Sequence, residues 1–176
     1  KSEAYGNYIL SVGRLDVIKR VDLLIKSLPY CDKSIKAIIA GVGPELDNLK
    51  KLACSLKVEN RVSFLGFVSD EDLINLYANA FAVFFAPVDE DYGYITLEAL
   101  LSKKPIVTCW DSGGVLEFVE DKKSAFIANA DENEIGGKID LFFKKKTMCE
   151  EMGRHGYDKV KNISWDNVID KLTQTI

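Results

Sequence analysis

A chain of 176 residues with 47% hydrophobic and 28% charged content has the composition of a folded globular protein, long enough to bury about two-thirds of the surface its unfolded form exposes. Its net charge of -4 arises from interspersed signs, and its basic pieces are short, such as "FKKK" at 143–146 and Lys122-Lys123, which argues against a nucleic-acid-binding surface. Cys31, Cys54, Cys109 and Cys149 make no C-x-x-C pair and no zinc-type spacing with the single histidine, His155, so the expectation is buried, reduced thiols in a cytosolic protein and no metal or redox motif.

The opening "KSEAYGNYIL" does not resemble a charged leader followed by an apolar core. The most apolar stretch, around 81–87, falls well short of the roughly 20 residues that cross a bilayer. Because the first residue is lysine, the chain is expected to be a piece of something longer.

Two periods then alternate along the chain. "YILSVG" (8–13) is a short apolar run, and "KRVDLLIKSL" (19–28) sets Val21, Leu24, Ile25 and Leu28 on one helical face, so strand is followed by helix. The pair repeats as "IKAIIAG" (35–41) and "PELDNLKKLACSL" (44–56), whose proline suits a first helical turn and whose Leu46, Leu49, Leu52 and Ala53 recur at helical spacing. "RVSFLG" (61–66) precedes "SDEDLINLYANA" (69–80), where Ser69 is placed to cap the helix and Asp72 to sit in its first turn. Strands at 81–87, 105–110 and 124–130, with helices near 94–102 and 115–120 between them, complete the series. The tail over 131–176 reads as purely helical, and no internal repeat or long linker interrupts the chain. About six strands separated by helices predict one α/β domain, a Rossmann-like, doubly wound parallel sheet with helices on both faces and a helical C-terminal tail.

In such a sheet ligands sit beyond the carboxyl ends of the strands, so the strand-to-helix loops are the candidates for chemistry. After the first strand, "GRLDVIKR" brings Gly13, Arg14 and Lys19 to a helix start, where two cations and open N–H groups can hold a phosphate; two surface cations beside Asp16 and Asp22 would read the same way. The dinucleotide fingerprint is absent from that loop, and the P-loop pattern occurs nowhere, which argues against NAD enzymes and P-loop NTPases. "GVGPE" after the second strand is read as a tight turn.

The richest stretch is "EDYGYITLE". Gly93 can turn the backbone sharply, and the N–H groups of Tyr94, Ile95 and Thr96 then open a helix where a diphosphate fits. Glu98, about one turn on, can accept two hydrogen bonds from a vicinal diol such as ribose, and Glu90 can face whatever lies beyond the phosphates. An ordinary acidic loop, and a glutamate favoured by the helix dipole, would leave the same letters. Asp89-Glu90-Asp91 also spells a metal-binding D-x-D, but so does Asp70-Glu71-Asp72 at an evident helix start.

"GRLDVIKRVDLLIKSL", "IIAGVGPELDNLKKLA", "RVSFLGFVSDEDLINLYANAFAVFFAP" and "EDYGYITLEALLSKKPIVTCWDSGGVLEFVED", in that order, resemble the C-terminal half of GT-B glycosyltransferases of the group 1, family 4 type. The most specific elements are E-x-[FY]-G-x4-E at Glu90, Tyr92, Gly93 and Glu98, and G-R-x4-K at Gly13, Arg14 and Lys19. The resemblance implies a retaining transferase of nucleotide diphospho-sugars that needs no cofactor and no essential metal. It places Arg14 and Lys19 on the donor diphosphate, Glu98 on the ribose and Glu90 on the sugar hydroxyls. Gly13 and backbone from Gly93 to Thr96 would meet phosphate, and Phe67 and Val68 would flank the base. Gly113 and Gly114 would keep one end of the cleft open.

The "EDYGY" and "DSGG" variants look most like bacterial and archaeal mannosyltransferases, which points to GDP-mannose. Arg20 stands where the family usually has glycine, as a third cation either touching phosphate or facing solvent, while Asp91 and Lys103 depart from the pattern away from these contacts. The resemblance further implies a missing N-terminal domain that carries a glycan or lipid-linked acceptor, and peripheral membrane association of the full-length enzyme. The isolated half would bind donor and transfer little. His155, in the tail, is expected at the surface and away from the chemistry. A nucleotide-sugar-binding module without catalysis, and a glycoside hydrolase using Glu90 and Glu98, are the other readings.

Overall fold

The computed structural model of the chain describes residues 6–163 and Thr173. Six strands form one parallel sheet: β1 (Tyr8–Val12), β2 (Lys36–Ala40), β3 (Val62–Gly66), β4 (Ala82–Phe84), β5 (Ile106–Cys109) and β6 (Ala125–Ala128), in the order β3-β2-β1-β4-β5-β6. Between them run α1 (Val21–Ser27), α2 (Leu46–Ser55), α3 (Asp70–Asn79), α4 (Tyr94–Leu101) and α5 (Val115–Phe118), and α6 (Glu132–Lys144) and α7 (Lys146–Val160) follow the last strand. The architecture is the α/β one expected. The helix read over 164–176 lies outside the described residues, apart from Thr173, which is helical.

The strands read as unbroken apolar runs because both faces of a parallel sheet are covered. Alternate side chains serve two cores. Ile9, Ile39, Phe84 and Val107 pack with Leu24, Leu49 and Ile139 from α1, α2 and α6, whereas Leu10, Val83, Phe85 and Ile106 pack with Tyr77, Leu100 and Val115 from α3, α4 and α5. Helix α7 contributes to both, through Met152 on one side and Val160 on the other. The caps follow local chemistry: the Ser69 side chain accepts from the Asp72 N–H at 3.2 Å, and Asp131 accepts from the Glu134 N–H at 2.8 Å. The second strand-to-helix connection runs one residue, Glu45, past Pro44 before α2 begins, so the proline belongs to the turn.

Three of the four cysteines are buried as expected, and burial pushes their thiols up, Cys31 and Cys149 to about 12 and Cys109 to about 11. Cys54 is exposed. It follows the buried Leu49 and Ala53 stripe of α2 by one residue, and a step of about 100° around the helix turns it to water.

Lys104, between α4 and β5, is buried and donates from Nζ to the Ala78 carbonyl at 2.9 Å. Burial lowers its pKa from 10.5 to about 8. Between those values the unfolded chain holds a proton that the folded one has released, so this residue's contribution to stability rises with pH there and is least favourable below pH 8. Urea denaturation of the chain and of Lys104→Met from pH 7 to 10.5 should show the difference between them moving in the native lysine's favour by about 1 to 3 kcal/mol; a flat difference would mean that Lys104 keeps an ordinary pKa.

Candidate functional site

The strand order reverses between β1 and β4, so the loops that follow these two strands lie side by side at the carboxyl edge of the sheet. The loop after β4 is fixed on both flanks by backbone. The Val88 N–H donates to the Ile18 carbonyl at 2.8 Å on one side, and the Asp89 N–H donates to the Asp111 carbonyl at 2.9 Å on the other. One residue further, Glu90 and Gly113 form a parallel bridge, and the Gly114 N–H donates to the Glu90 carbonyl at 2.6 Å.

This contact explains the glycine pair. A Cβ on Gly113, whose φ is +61°, would lie 2.6 Å from the Glu90 oxygen, and one on Gly114 would lie 2.3 Å from the Asp91 oxygen. The expectation that these glycines hold one end of the cleft open is corrected: their missing side chains let two loops touch backbone to backbone.

Arg20 is also not as expected, being neither free to reach a ligand nor turned to solvent. Its side chain is only 14% exposed. It donates from Nε to the Ala86 carbonyl at 2.7 Å and from a terminal nitrogen to the Pro87 carbonyl at 2.8 Å, and it grips both Asp111 carboxylate oxygens at 2.6 and 3.0 Å. That hydrogen bonding holds the Asp111 carboxyl below the usual carboxylate range. One guanidinium thus ties the loops after β1, β4 and β5 together. Its backbone is left-handed, at φ 50° and ψ 39°, between the 3-10 turn Val17–Lys19 and α1, which accounts for a glycine being the easier residue there.

Beyond β1, β2 and β3 opens a cavity of about 610 Å³, lined by Gly13, Arg14, Gly41, Phe67, Val68 and Leu73 among others. Four residues singled out from the sequence therefore share it. Phe67 is 85% exposed at its wall, an uncovered aromatic surface of the size a planar ring could stack on. Arg14 is largely exposed, its Nε 3.7 Å from the Asp16 carboxylate.

The remaining predicted residues gather at the start of α4. Gly93 precedes the helix at φ 73° and ψ 55°, and a Cβ there would press on Val115 and Thr96 at 3.0 and 3.2 Å. The Thr96 N–H donates back to the Gly93 carbonyl at 2.8 Å, so it is not open to a ligand as expected. The Tyr94 and Ile95 N–H groups stand at the open end of the helix. The Thr96 hydroxyl is buried and finds no partner among the described residues. Ile95 reaches back to Gly13, its Cδ1 3.1 Å from where a Gly13 Cβ would be, and so joins this cluster to the cavity.

Lys19 and Glu90, read separately from the sequence, are bonded to each other by an ion pair. Glu98 is exposed, and its carboxylate accepts from the Tyr77 hydroxyl at 2.8 Å. Burial, with the Glu98 charge beside it, pushes the Tyr77 phenol well above its ordinary range, so it remains a donor. Leu73, which lines the cavity, lies four residues before Tyr77 on α3 and so on the same face. Tyr77 and the Arg20–Asp111 pair escaped the sequence reading. Tyr77 looks there like one more apolar position of a helical stripe; only a cation at a position that favours glycine hinted at Arg20.

His155, on α7, is at the surface with Nε2 3.7 Å from Glu120. Asp70, Glu71 and Asp72 occupy the first turn of α3. Among the described residues, no group of three or more His, Cys, Asp or Glu side chains is placed to hold a metal ion, and no helix is long and apolar enough to cross a membrane.

Residues 2–159 match the family model described as Glycosyl transferases group 1. The chain is 30% identical over 164 residues to an uncharacterized glycosyltransferase of Methanocaldococcus jannaschii, covering 91% of this chain and 42% of that protein. It is 27% identical over 180 residues to mannosylfructose-phosphate synthase of Agrobacterium fabrum, covering 95% and 39%. In fold it is similar to Anabaena HepE in complex with UDP and glucose, with a TM-score of 0.87 and 24% identity over 97% of this chain and 48% of the other. The chain thus spans less than half the length of each of these proteins.

Loss of the clamp should be measurable as stability. Arg20→Ala should lower the free energy of unfolding by about 2 to 3 kcal/mol, since two carbonyls and a carboxylate lose a charged donor. Arg20→Gly should lose about 0.5 to 1 kcal/mol less, because glycine accepts the left-handed backbone. Urea midpoints read both; two values within 0.5 kcal/mol of the native chain would show that the guanidinium holds nothing.

Proposed function

The chain belongs to the group 1 glycosyltransferases, and from that premise we propose that it is the donor-binding half of a retaining hexosyltransferase that works on a nucleotide diphospho-sugar. The observation that carries this reading is the gathering, along one edge of the sheet, of a cavity with an exposed aromatic wall, the cationic loop of Arg14 and Lys19, the open start of α4 and a tyrosine-held carboxylate at Glu98. These are parts that the base, the ribose and the diphosphate of one elongated ligand would meet.

In this reading the base lies against Phe67 and Val68, and Glu98 accepts from the ribose hydroxyls. The diphosphate lies along Gly13 and the N–H groups that open α4, with Arg14 and Lys19 as its cations. During transfer the bond between the sugar's anomeric carbon and the diphosphate oxygen breaks, and the electron pair leaves with the nucleoside diphosphate. The acceptor hydroxyl bonds to the same carbon, and its proton passes to the departing diphosphate oxygen. Arg14 and Lys19 then stabilise the charge that gathers on the leaving group. The acceptor, a glycan or a lipid-linked sugar, would be presented by an N-terminal domain outside these 176 residues, so the isolated half would bind donor and transfer little. Membrane association would be peripheral and would belong to the whole enzyme, in the cytoplasm.

Mannose is the favoured sugar and GDP-mannose the favoured donor, with support from the "EDYGY" and "DSGG" sequences and from the mannosyl product named for the Agrobacterium relative. UDP-glucose is the natural comparator, since HepE was crystallised with UDP and glucose. No cofactor enters this scheme.

The test is thermal melting of the domain with GDP, UDP, ADP, the mannose and glucose conjugates, and NAD. A nucleoside diphosphate at about a hundred times its dissociation constant should raise Tm by about 5 to 11 °C. The shift should vanish in Glu98→Ala and shrink in Tyr77→Phe, which keeps the ring but loses the bond that holds the carboxylate. No response to any nucleotide would overturn the donor-site reading.

A further inference from the structure

Lys19 and Glu90 are the two predicted site residues that already have each other as partners. Their side chains are 19% and 21% exposed, so the pair is largely withdrawn from water. Both are held where they meet. The Lys19 N–H donates to the Asp16 side chain at 3.2 Å, its ammonium lies 5.7 Å from the centre of the Phe85 ring, and the Glu90 backbone is fixed to Gly113 and Gly114. The neighbouring charges are otherwise engaged: Arg14 turns to Asp16, and Arg20 is taken up by Ala86, Pro87 and Asp111. Among the described residues neither Lys19 nor Glu90 makes a second ion pair.

We infer that Glu90 competes with the donor's diphosphate for Lys19, so that the site grips a nucleotide sugar but holds the product nucleoside diphosphate loosely. This rests on the donor-site reading above. When a nucleotide sugar is bound, the sugar hydroxyls supply donors to the Glu90 carboxylate, and Lys19 can turn to the phosphates without leaving a withdrawn charge unpaired. When the sugar is gone, any move of Lys19 toward the diphosphate strands Glu90 in a largely desolvated position, which is costly. The carboxylate therefore draws the lysine back, and the diphosphate loses one of its two cations. Glu90 thereby couples the presence of the sugar to the strength of the phosphate grip.

The test is titration calorimetry of the 176-residue chain with inorganic pyrophosphate, GDP and UDP. Glu90→Gln, which keeps the shape of the side chain and removes its charge, should bind pyrophosphate, and whichever nucleoside diphosphate the native chain binds, roughly tenfold more tightly. The gain should disappear when Lys19→Met is added. Glu90→Asp, with a shorter reach, should move in the same direction by less and covers the case of a glutamine variant that fails to fold. Unchanged or weaker binding in Glu90→Gln overturns the competition, and so does a gain that survives Lys19→Met, since that reports only the removal of a negative charge. Failure of the underlying reading looks different: neither the native chain nor Glu90→Gln would bind any nucleoside diphosphate.

Discussion

The two backbone hydrogen bonds that hold the loop after β4 between its neighbours, Val88 to Ile18 and Asp89 to Asp111, are the constraint on which the whole cleft depends. Loops at the carboxyl edge of a parallel sheet are ordinarily its most mobile parts. Here the loop continues the pairing of the strands for several residues beyond the regular sheet, through to the Glu90–Gly113 bridge. The direction in which Glu90 projects, the place where α4 begins and the position of Lys19 relative to both follow from that pairing. It is possible only because Gly113 and Gly114 present no side chain to the Glu90 and Asp91 backbone. Arg20 then satisfies the carbonyls of Ala86 and Pro87 that the pairing leaves over.

Electrostatics are layered onto this frame unevenly. The protein as a whole is acidic, yet the cleft edge carries Arg14, Lys19 and the positive end of α4. Each cation there is in a different state. Arg14 is exposed and loosely matched to Asp16, Lys19 is paired with a withdrawn carboxylate, and Arg20 is saturated. Three positive charges within seven residues of sequence are thus one exposed group, one paired group and one structural group. Counting charges in the loop would have treated them alike.

The fold was legible because a parallel sheet covered on both faces imposes a pattern that needs no partner to be seen: short apolar runs such as "YILSVG" and "FAVFFAP" alternate with helical stripes. Local geometry was legible where it is set within one loop, as in Gly93 at the start of α4 and Ser69 capping α3. The site was not legible where it depends on contacts between loops far apart in the chain. Nothing in "GRLDVIKR" or in "TCWDSGG" announces that Arg20 meets Asp111, ninety-one positions on. Likewise, Tyr77 as a core residue and Tyr77 as the donor that orients Glu98 are the same letter in the same stripe, and only the placement of its hydroxyl separates them.

That same long-range character bears on what the proposed donor-binding half could do by itself. The contacts that shape the candidate site among the described residues are internal to this chain: the loop pairing, the Arg20 clamp, the Tyr77–Glu98 bond and the Lys19–Glu90 pair. Binding geometry of this kind is fixed in advance, so a ligand need not order these loops in order to bind. Chemistry is a separate requirement. In the proposed scheme, the developing charge on the diphosphate is met from this side, while the attacking hydroxyl and the exclusion of water come from the other. On these proposals, a donor site built within this chain would hold its ligand in a reactive arrangement without completing the reaction, and Lys19 would link the two, because it would leave Glu90 only when a sugar is there to be transferred.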